Sequence, residues 1–411
     1  MRFLHLADLH FGKSLHGISL LERGDQTDWA RRFRDLAKAL RPDAVVIAGD
    51  VYDRSAPSAE AVDLLSGLLT GLADDGIPVL LIPGNHDSAQ RLAFGRELLS
   101  RQGLHIAGPL TPPGTLTHVT LEDKFGPVTF WLMPYVFPAL VTDALGTETP
   151  RDYGSAIRAL LEAQEIDFSR RNVLIAHQNV TAAGAEAERG GSETMIGGVG
   201  QVDYTVFDGF DYVALGHIHA GYPVGRPEVR YAGSPLCYHF NEARQSRKGP
   251  LLVTLGPKGA PVETAVQPIP ALHPLLPWTG SLETVKALAE SAEPGSYVSI
   301  TLTDQRITPE ISEALRGTLE RRDCLLLELS SDFREHSGVG GGLTSRAVRE
   351  RSVPELFSDF YREKCGGAEP TDDERRLLDY AAELLGGSDD PSRDEALAAR
   401  LLARAKEATE A

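Results

Sequence analysis

Short apolar runs punctuate the first 255 residues, and most end abruptly on polar residues. They read "RFLHLAD" from Arg2, "DAVVIAGD" from Asp43, "PVLLIPGNHD" from Pro78, "NVLIAHQ" from Asn172 and "DYVALGHIH" from Asp211. Bounded runs of this length predict buried strands. Between the early runs, "WARRFRDLAKAL" and "SAEAVDLLSGLLTGLADDG" have helical length and periodicity, and the second closes on Gly76 as a helix C-terminus often does. Strands alternating with helices predict an α/β architecture. In open sheets of that kind ligands bind outside the carboxyl ends of the strands, so the polar residues after each run are predicted to converge.

After the strand-like "GPLLVTL" from Gly249 the texture changes to "QPIPALHPLLPW", with four prolines between Gln267 and Trp278. Such density predicts a linker or domain boundary. Next come "SYVSITLT", the helical "PEISEALRGTLERR" and "CLLLELS", a strand-helix-strand pattern expected to form a small α+β domain over residues 267–336. The glycine-rich "SGVGGG" from Ser337 marks residues 337–351 as a flexible linker. Beyond it, Ser352 and Glu355 fit a capping box, and Val353, Leu356, Phe357, Phe360 and Tyr361 share one helical face. Leu377, Leu378, Ala381, Leu384 and Leu385 form a second apolar stripe. Two short amphipathic helices cannot bury both stripes against each other alone. Residues 352–411 are therefore expected to pack on the body, residues 1–266, or on a partner chain.

With 411 residues the chain is too long for one ordinary core, and two or three domains are expected. No run approaches the roughly 18 apolar residues of a membrane span. The N-terminus also lacks a signal-peptide profile, so the expected location is cytoplasmic. Three scattered cysteines, Cys237, Cys324 and Cys365, argue against a disulfide framework and against a thiolate zinc site. A net charge of -17 argues against a simple basic nucleic-acid coat. It leaves local contacts open, because carboxylates loaded with divalent cations lose much of their negative field and Arg244, Arg247 and Lys248 remain to meet phosphate.

The strand-end motifs carry the chemistry. In chain order they are Asp8-x-His10, "GDVYD" (Gly49 to Asp53), "GNHD" (Gly84 to Asp87), His177 and "GHIH" (Gly216 to His219). Asp8, His10, Asp50, Asn85, His177, His217 and His219 are oxygen and imidazole donors without a thiolate, a set suited to Mn²⁺, Fe²⁺ or Zn²⁺ more than to Mg²⁺ or Ca²⁺. Seven donors exceed what one tetrahedral ion takes. Two ions about 3.5–4 Å apart, sharing a bridging carboxylate, would use them all and suit in-line phosphoryl displacement. Gly49, Gly84 and Gly216 are expected to let the backbone turn sharply at each strand end. His5 is expected to face a helix layer, and His16, on the loop leaving the first strand, is a candidate substrate contact.

The first motif overlaps "ADLHFGKS", which misses the phosphate-binding pattern G-x-x-x-x-G-K-[ST] because Ala7 stands at its first glycine. A phosphate loop would leave Asp8 and His10 without a role, whereas a metal site employs both. Lys13 is then expected on the loop after the first strand, free to touch a nucleic-acid backbone.

The order D-x-H, G-D-x-x-D, G-N-H-D, lone H and G-H-x-H resembles the calcineurin-like metallophosphoesterase superfamily. Within it, "MRFLHLADLHFGKSLHG", "VVIAGDVYDR", "GNHDS", "YVALGHIHAG" and "VRYAGSPLCYHFNE" are similar to the bacterial branch of the double-strand-break repair nuclease family. The resemblance is strong from residue 1 to about 255 and extends beyond only in layout. It implies a layered α/β sandwich, two mixed sheets flanked by helices, with residues 267–336 as a DNA-capping domain and the helices of 352–411 binding a separate coiled-coil ATPase. It assigns one Mn²⁺ to Asp8, His10, Asp50 and His219, and a second to Asp50, Asn85, His177 and His217. His86 would stabilise or protonate the leaving oxygen, Asp87 would orient its imidazole, and Asp53 would support the ligands from behind. The implied activity is 3′→5′ exonuclease and single-strand endonuclease on DNA ends, hairpins and single strands, in repair, recombination and replication. The implied assembly is a homodimer within a heterotetramer, at the nucleoid and away from membranes. Leu9 departs from the pattern, which often has an aromatic there.

Two other readings stay open at this point. One is a phosphatase or phosphodiesterase of the same superfamily with a non-DNA substrate, against which two accessory modules argue. The other is a non-catalytic DNA-end clamp, against which the intact ligand set and His86 argue.

Overall fold

In the computed structural model the described residues are 1–147, 152–182, 200–244, 248–333, 361, 362 and 371. Residues Met1–Phe333 form one compact unit. Two six-stranded sheets build most of it. The first runs, edge to edge, Glu263–Val266, Leu251–Thr254, Arg2–Leu6, Ala44–Ala48, Val79–Ile82 and Leu104–Ile106. Its last four strands are parallel, and the other two are antiparallel. In the second the order is Pro223–Val224, Arg226–Tyr231, Tyr212–Gly216, Arg171–His177, Gly126–Met133 and Thr117–Asp123. Four central strands are again parallel, with antiparallel edges. Both sheets are mixed.

Alternation along each strand explains the layers. Phe3, Val46 and Leu80 of the first sheet meet Phe130, Val173, Ile175 and Tyr212 of the second in one closed core. Phe3 sets its ring edge-on to Phe130 and Tyr212, with centroids 5.5 and 5.7 Å away. Opposite-parity residues Leu4, Leu6, Val45 and Ile47 pack under helices Asp25–Leu40 and Ala59–Asp74, through Trp29, Phe33, Leu65 and Leu72. On the far side Leu174, Ala176, Val213 and Leu215 pack under helices Pro138–Leu145 and Tyr153–Glu162. The result is helix, sheet, sheet, helix.

His5 departs from expectation. It shares parity with Phe3, so it faces the second sheet rather than a helix layer, and its Nδ1 lies 3.1 Å from the Tyr212 hydroxyl. Burial holds its pKa down to about 3, so the ring is neutral.

The proline-rich stretch is not a plain linker. Leu275–Gly280 is a strand and Leu282–Glu290 a helix, and they join Tyr297–Leu302, Pro309–Glu320 and Leu325–Ser331 in a three-stranded sheet. All three strands are parallel, so this unit is a β-α-β-α-β arrangement instead of the α+β expected. Pro277 masks the first strand in the sequence, but that strand is an edge, where a residue without an N–H is tolerated. A separate core of Val285, Val298, Ile300, Leu302, Leu315 and Leu319 closes under its two helices. The linker 337–351 and the stripes of 352–411 lie outside the described residues, save Tyr361 of the first stripe, and between the stripes Arg362 and Thr371 are also described. No helix among the described residues is long and apolar enough to cross a membrane.

Candidate metal centre

Five strands deliver the predicted donors from their carboxyl ends. Arg2–Leu6 leads to Asp8 and His10, Ala44–Ala48 to Asp50, Val79–Ile82 to Asn85, Arg171–His177 ends on His177, and Tyr212–Gly216 leads to His217 and His219. Backbone bonds stitch the first two loops together, with Asp8 N donating to Gly49 O at 3.0 Å and His10 N to Asp50 O at 2.9 Å. Across the sheets, His217 N donates to Asp8 Oδ1 at 2.9 Å.

The seven side chains meet in one place. His10 Nε2 lies 3.1 Å from His219 Nε2 and 3.6 Å from Asp50 Oδ2. His177 Nε2 lies 3.0 Å from Asn85 Oδ1 and 3.3 Å from Asp50 Oδ2, while His217 Nδ1 is 3.0 Å from the same Asn85 oxygen. Donor atoms of Asp8, His10 and His219 fall within 4.8 Å of one another, as do those of Asp8, Asp50 and His177. Asp8, His10, Asp50, His177 and His219 are buried.

Electrostatics inside this cluster pull in opposite directions. Burial pushes the Asp8 carboxyl up to about 7. Burial would raise Asp50 as well, but His177, His10 and His86 hold it well below the usual carboxylate range. Burial alone would lower His177, and the Asp50 and Asp8 carboxylates lift it to about 9. Burial lowers His10 to about 4 and, with the neighbouring His177, lowers His217 to about 3. The Asp8 Oδ2 atom is buried without a hydrogen-bond partner. Carboxylate, amide and imidazole donors crowded around an unpartnered buried oxygen fit divalent cations, which would satisfy them together.

Supporting residues hold this wall. His177 Nδ1 donates to Ala48 O at 2.8 Å, which directs Nε2 inward. Glu242 sits 3.4 Å from His219 Nδ1, and Lys248 bonds Glu242, Ser234 and the His219 carbonyl at 2.7, 2.6 and 3.0 Å. Lys248 is thereby built into the site's support and does not serve as a free phosphate contact. Lys13 is also paired, with its ammonium 2.8 Å from Asp53 and over the Tyr238 ring. The side chain of Arg244 and all of Arg247 lie outside the described residues. His16 is exposed beside Phe240. No periodic signal in the sequence points to Glu242 or to Gln26, which binds the first loop. Both are single polar residues outside the strand-end motifs, Gln26 bonding His10 and Gly12 and Glu242 facing His219 across 23 positions.

His86 and Asp87 separate in role. His86 is part-exposed at the rim, with Nε2 4.0 Å from Asp50 Oδ2. Its Nδ1 donates to the backbone carbonyl of Asp53 at 2.9 Å, so that carbonyl, and not Asp87, orients the ring. The Asp87 carboxylate instead accepts from Gly84, Val51 and Tyr52 N–H at 2.9 to 3.0 Å, tying the second and third loops together. Adjacent in the chain, His86 and Asp87 thus reach different partners.

Of the three glycines, only Gly49 has a left-handed φ, of 87°. Gly84 and Gly216 serve by size, since a Cβ at Gly84 would strike the Asp50 carboxylate and one at Gly216 the Ala48 carbonyl and the His177 ring. Where a helix would follow a phosphate loop, Ser14–Leu15 pairs with Ile18–Ser19 in a small hairpin, which removes the nucleotide-loop reading of "GKS".

The sequence profile of the calcineurin-like phosphoesterase family matches residues 1–221. The chain belongs to this family. Residues 271–364 match a second profile, described as the type 5 capsule protein repressor C-terminal domain. The SbcD subunit of the nuclease SbcCD from Staphylococcus epidermidis is 34% identical over 252 residues, covering 60% of this chain and 64% of that relative. The match thus spans under two thirds of the relative's length. A solved structure, that of TT1561 from Thermus thermophilus, aligns over 64% of this chain and 98% of its own with 12% identity and a TM-score of 0.36.

Proposed function

We propose that this phosphoesterase is a metal-dependent DNA nuclease subunit that works with a coiled-coil ATPase of the SbcC type. The observation that supports it most is the buried, unpartnered Asp8 oxygen at the junction of two donor groups. In this reading Asp8, His10, Asp50 and His219 hold one Mn²⁺, and Asp50, Asn85, His177 and His217 hold the other, with Fe²⁺ or Zn²⁺ as substitutes. Such a pair supplies charge neutralisation to a phosphodiester and activates a water toward phosphorus. The likeness to a nuclease subunit supports a nucleic acid as the substrate. In this reading the substrate is DNA, with 3′→5′ exonuclease action on duplex ends and endonuclease action on single strands.

The chain's own groups do the rest. A backbone carbonyl only accepts, so His86 Nδ1 carries the proton it donates to Asp53 O. Its Nε2 is therefore the atom that holds or gives a proton at the part-exposed rim, where it would protonate the departing 3′ oxygen. Asp87 acts by fixing the loops that carry Asp50 and His86. The parallel unit around Tyr297–Leu302 would cap the DNA, and residues 352–411 would bind the ATPase, giving a homodimer within a heterotetramer at the nucleoid.

The full chain with Mn²⁺ should cleave a DNA hairpin and bis-p-nitrophenyl phosphate while leaving a mononucleotide phosphomonoester intact. Efficient hydrolysis of the monoester with intact DNA would replace the nuclease reading by a phosphatase. Loss of two bound Mn²⁺ is not expected for His86→Gln, but loss of DNA cleavage is. Unchanged cleavage in that variant would remove the role assigned to His86.

A further inference from the structure

The first turn of helix Asp25–Leu40 has two buried polar side chains, and they reach in different directions. Gln26 reaches the first metal-ligand loop. Its Nε2 donates to the His10 carbonyl at 2.7 Å, and its Oε1 accepts from Gly12 N at 2.8 Å. Both ends of the amide are used, and the side chain brackets His10, Phe11 and Gly12. That loop needs holding, because His10 has φ 44° and Gly12 φ 94°. A left-handed residue other than glycine persists only where its surroundings over-determine it.

Asp25, the preceding residue, reaches the small parallel unit. Its Oδ2 accepts from the Tyr297 hydroxyl at 2.8 Å, and its Oδ1 takes a 2.9 Å contact with His273 Nδ1. The Tyr297 and His273 rings stack with centroids 5.0 Å apart. Tyr297 opens the central strand of the small sheet, and His273 lies just before its edge strand. Tyr297 is fully buried, in the core under helix Asp25–Leu40. One rigid turn thus carries a grip on the small unit and a grip on His10 in adjacent residues.

We propose that Gln26 is a positioning residue for His10, and that the small unit, through Tyr297 and Asp25, sets how tightly the cation served by His10 is held. The proposal rests on the two-cation reading of the site. Asp25 and Tyr297 bond each other and His273, whereas Gln26 bonds the His10 loop, so their effect would pass through the helix turn. Gln26→Glu keeps the acceptor for Gly12 but loses the donor to the His10 carbonyl, and Tyr297→Phe removes only the hydroxyl that holds Asp25.

The test is calorimetric titration of the full chain with Mn²⁺ in the absence of DNA, on samples whose folding is checked by circular dichroism. Gln26→Glu should weaken one of two Mn²⁺ by about 10–100-fold and leave the other nearly unchanged. Tyr297→Phe should weaken the same one by about fivefold, and the double variant should be no weaker than Gln26→Glu alone. A merely structural role would lower the unfolding temperature without moving the affinity of the folded protein. Wild-type affinity in either folded variant, or effects that simply add, would overturn the proposal. If Gln26→Glu fails to fold, Tyr297→Phe carries the test by itself. A wild-type chain that takes up no Mn²⁺ would instead sink the two-cation reading.

Discussion

The metal-donor loops and the small parallel unit depart from local rules to very different degrees. Among the described residues seven non-glycine positions have a positive φ, and four of them, Asp8, His10, Asp50 and His217, are donors. The same loops hold a buried oxygen without a hydrogen-bond partner, Asp8 Oδ2, a buried His10 Nδ1 whose nearest carboxylate oxygen, on Asp53, is 3.6 Å away, and carboxylates driven in opposite directions. In the small unit Ser281 and Thr308 cap their helices, and no described buried side-chain polar atom between Leu275 and Ser331 lacks a partner. Asp323, with φ 59°, is the one non-glycine exception in the small unit, so departures from local rules concentrate where the chain has to bind and are few where it only has to fold. Stability and function should therefore respond to mutation in opposite ways in the two regions.

The largest effect should come from Asp50, which faces both donor groups. Asp50→Ala should reduce DNA cleavage by at least about 10³-fold and lower the Mn²⁺ bound per chain, read by gel assay and metal analysis. Cleavage within tenfold of wild type would break the comparison at its functional end. At the other end, Leu315 is fully buried under the small sheet. Leu315→Ala should cost about 2–5 kcal/mol in urea unfolding and leave the activity of the folded enzyme unchanged.

Asp8 sharpens the contrast through pH. Its folded pKa of about 7 lies above the unfolded value, so the folded chain holds the proton more tightly. The contribution favours folding at low pH and fades as pH rises from about 4 to 7. In chelator at pH 8, Asp8→Asn should therefore stabilise the protein by about 2 kcal/mol, and the gain should shrink at pH 5. Asparagine keeps an oxygen for the His217 N–H, so that bond survives. The same variant should lose Mn²⁺ affinity. A destabilised Asp8→Asn in chelator at pH 8 would show that the donor cluster stores no strain.

Much of this is legible in the sequence, for a physical reason. A buried parallel strand is a short apolar run, and a donor at its end is the next polar residue, so "DAVVIAGD" and "DYVALGHIH" announce both fold and site locally. Side chains that work across distance leave no such mark. Adjacency in the chain pairs Asp87 with His86, yet the turn sends the carboxylate to three amides and leaves His86 to a carbonyl 33 positions earlier. Lys248 reads as an exposed cation, but burial beside Glu242 makes it structural. Pro277 conceals an edge strand because its cost depends on which neighbour is missing, and sequence does not state that.

The smallest test asks whether the orderly region is orderly for the reason given. Thr308 precedes Pro309, and its side chain accepts from Ile311 N at the start of helix Pro309–Glu320. Pro309 brings no N–H that needs a partner, and Glu310 adds negative charge to the first turn, so the cap is one of three aligned contributions. Thr308→Ala removes only the hydroxyl oxygen and should cost about 1 kcal/mol in urea unfolding, with Thr308→Asp restoring it. Because the helix lies over the separate small core, neither change should alter Mn²⁺ binding or cleavage. A matching change in Mn²⁺ affinity would mean that the helix ends of the small unit, and not only the grip of Tyr297 on Asp25, are felt at the metal loops.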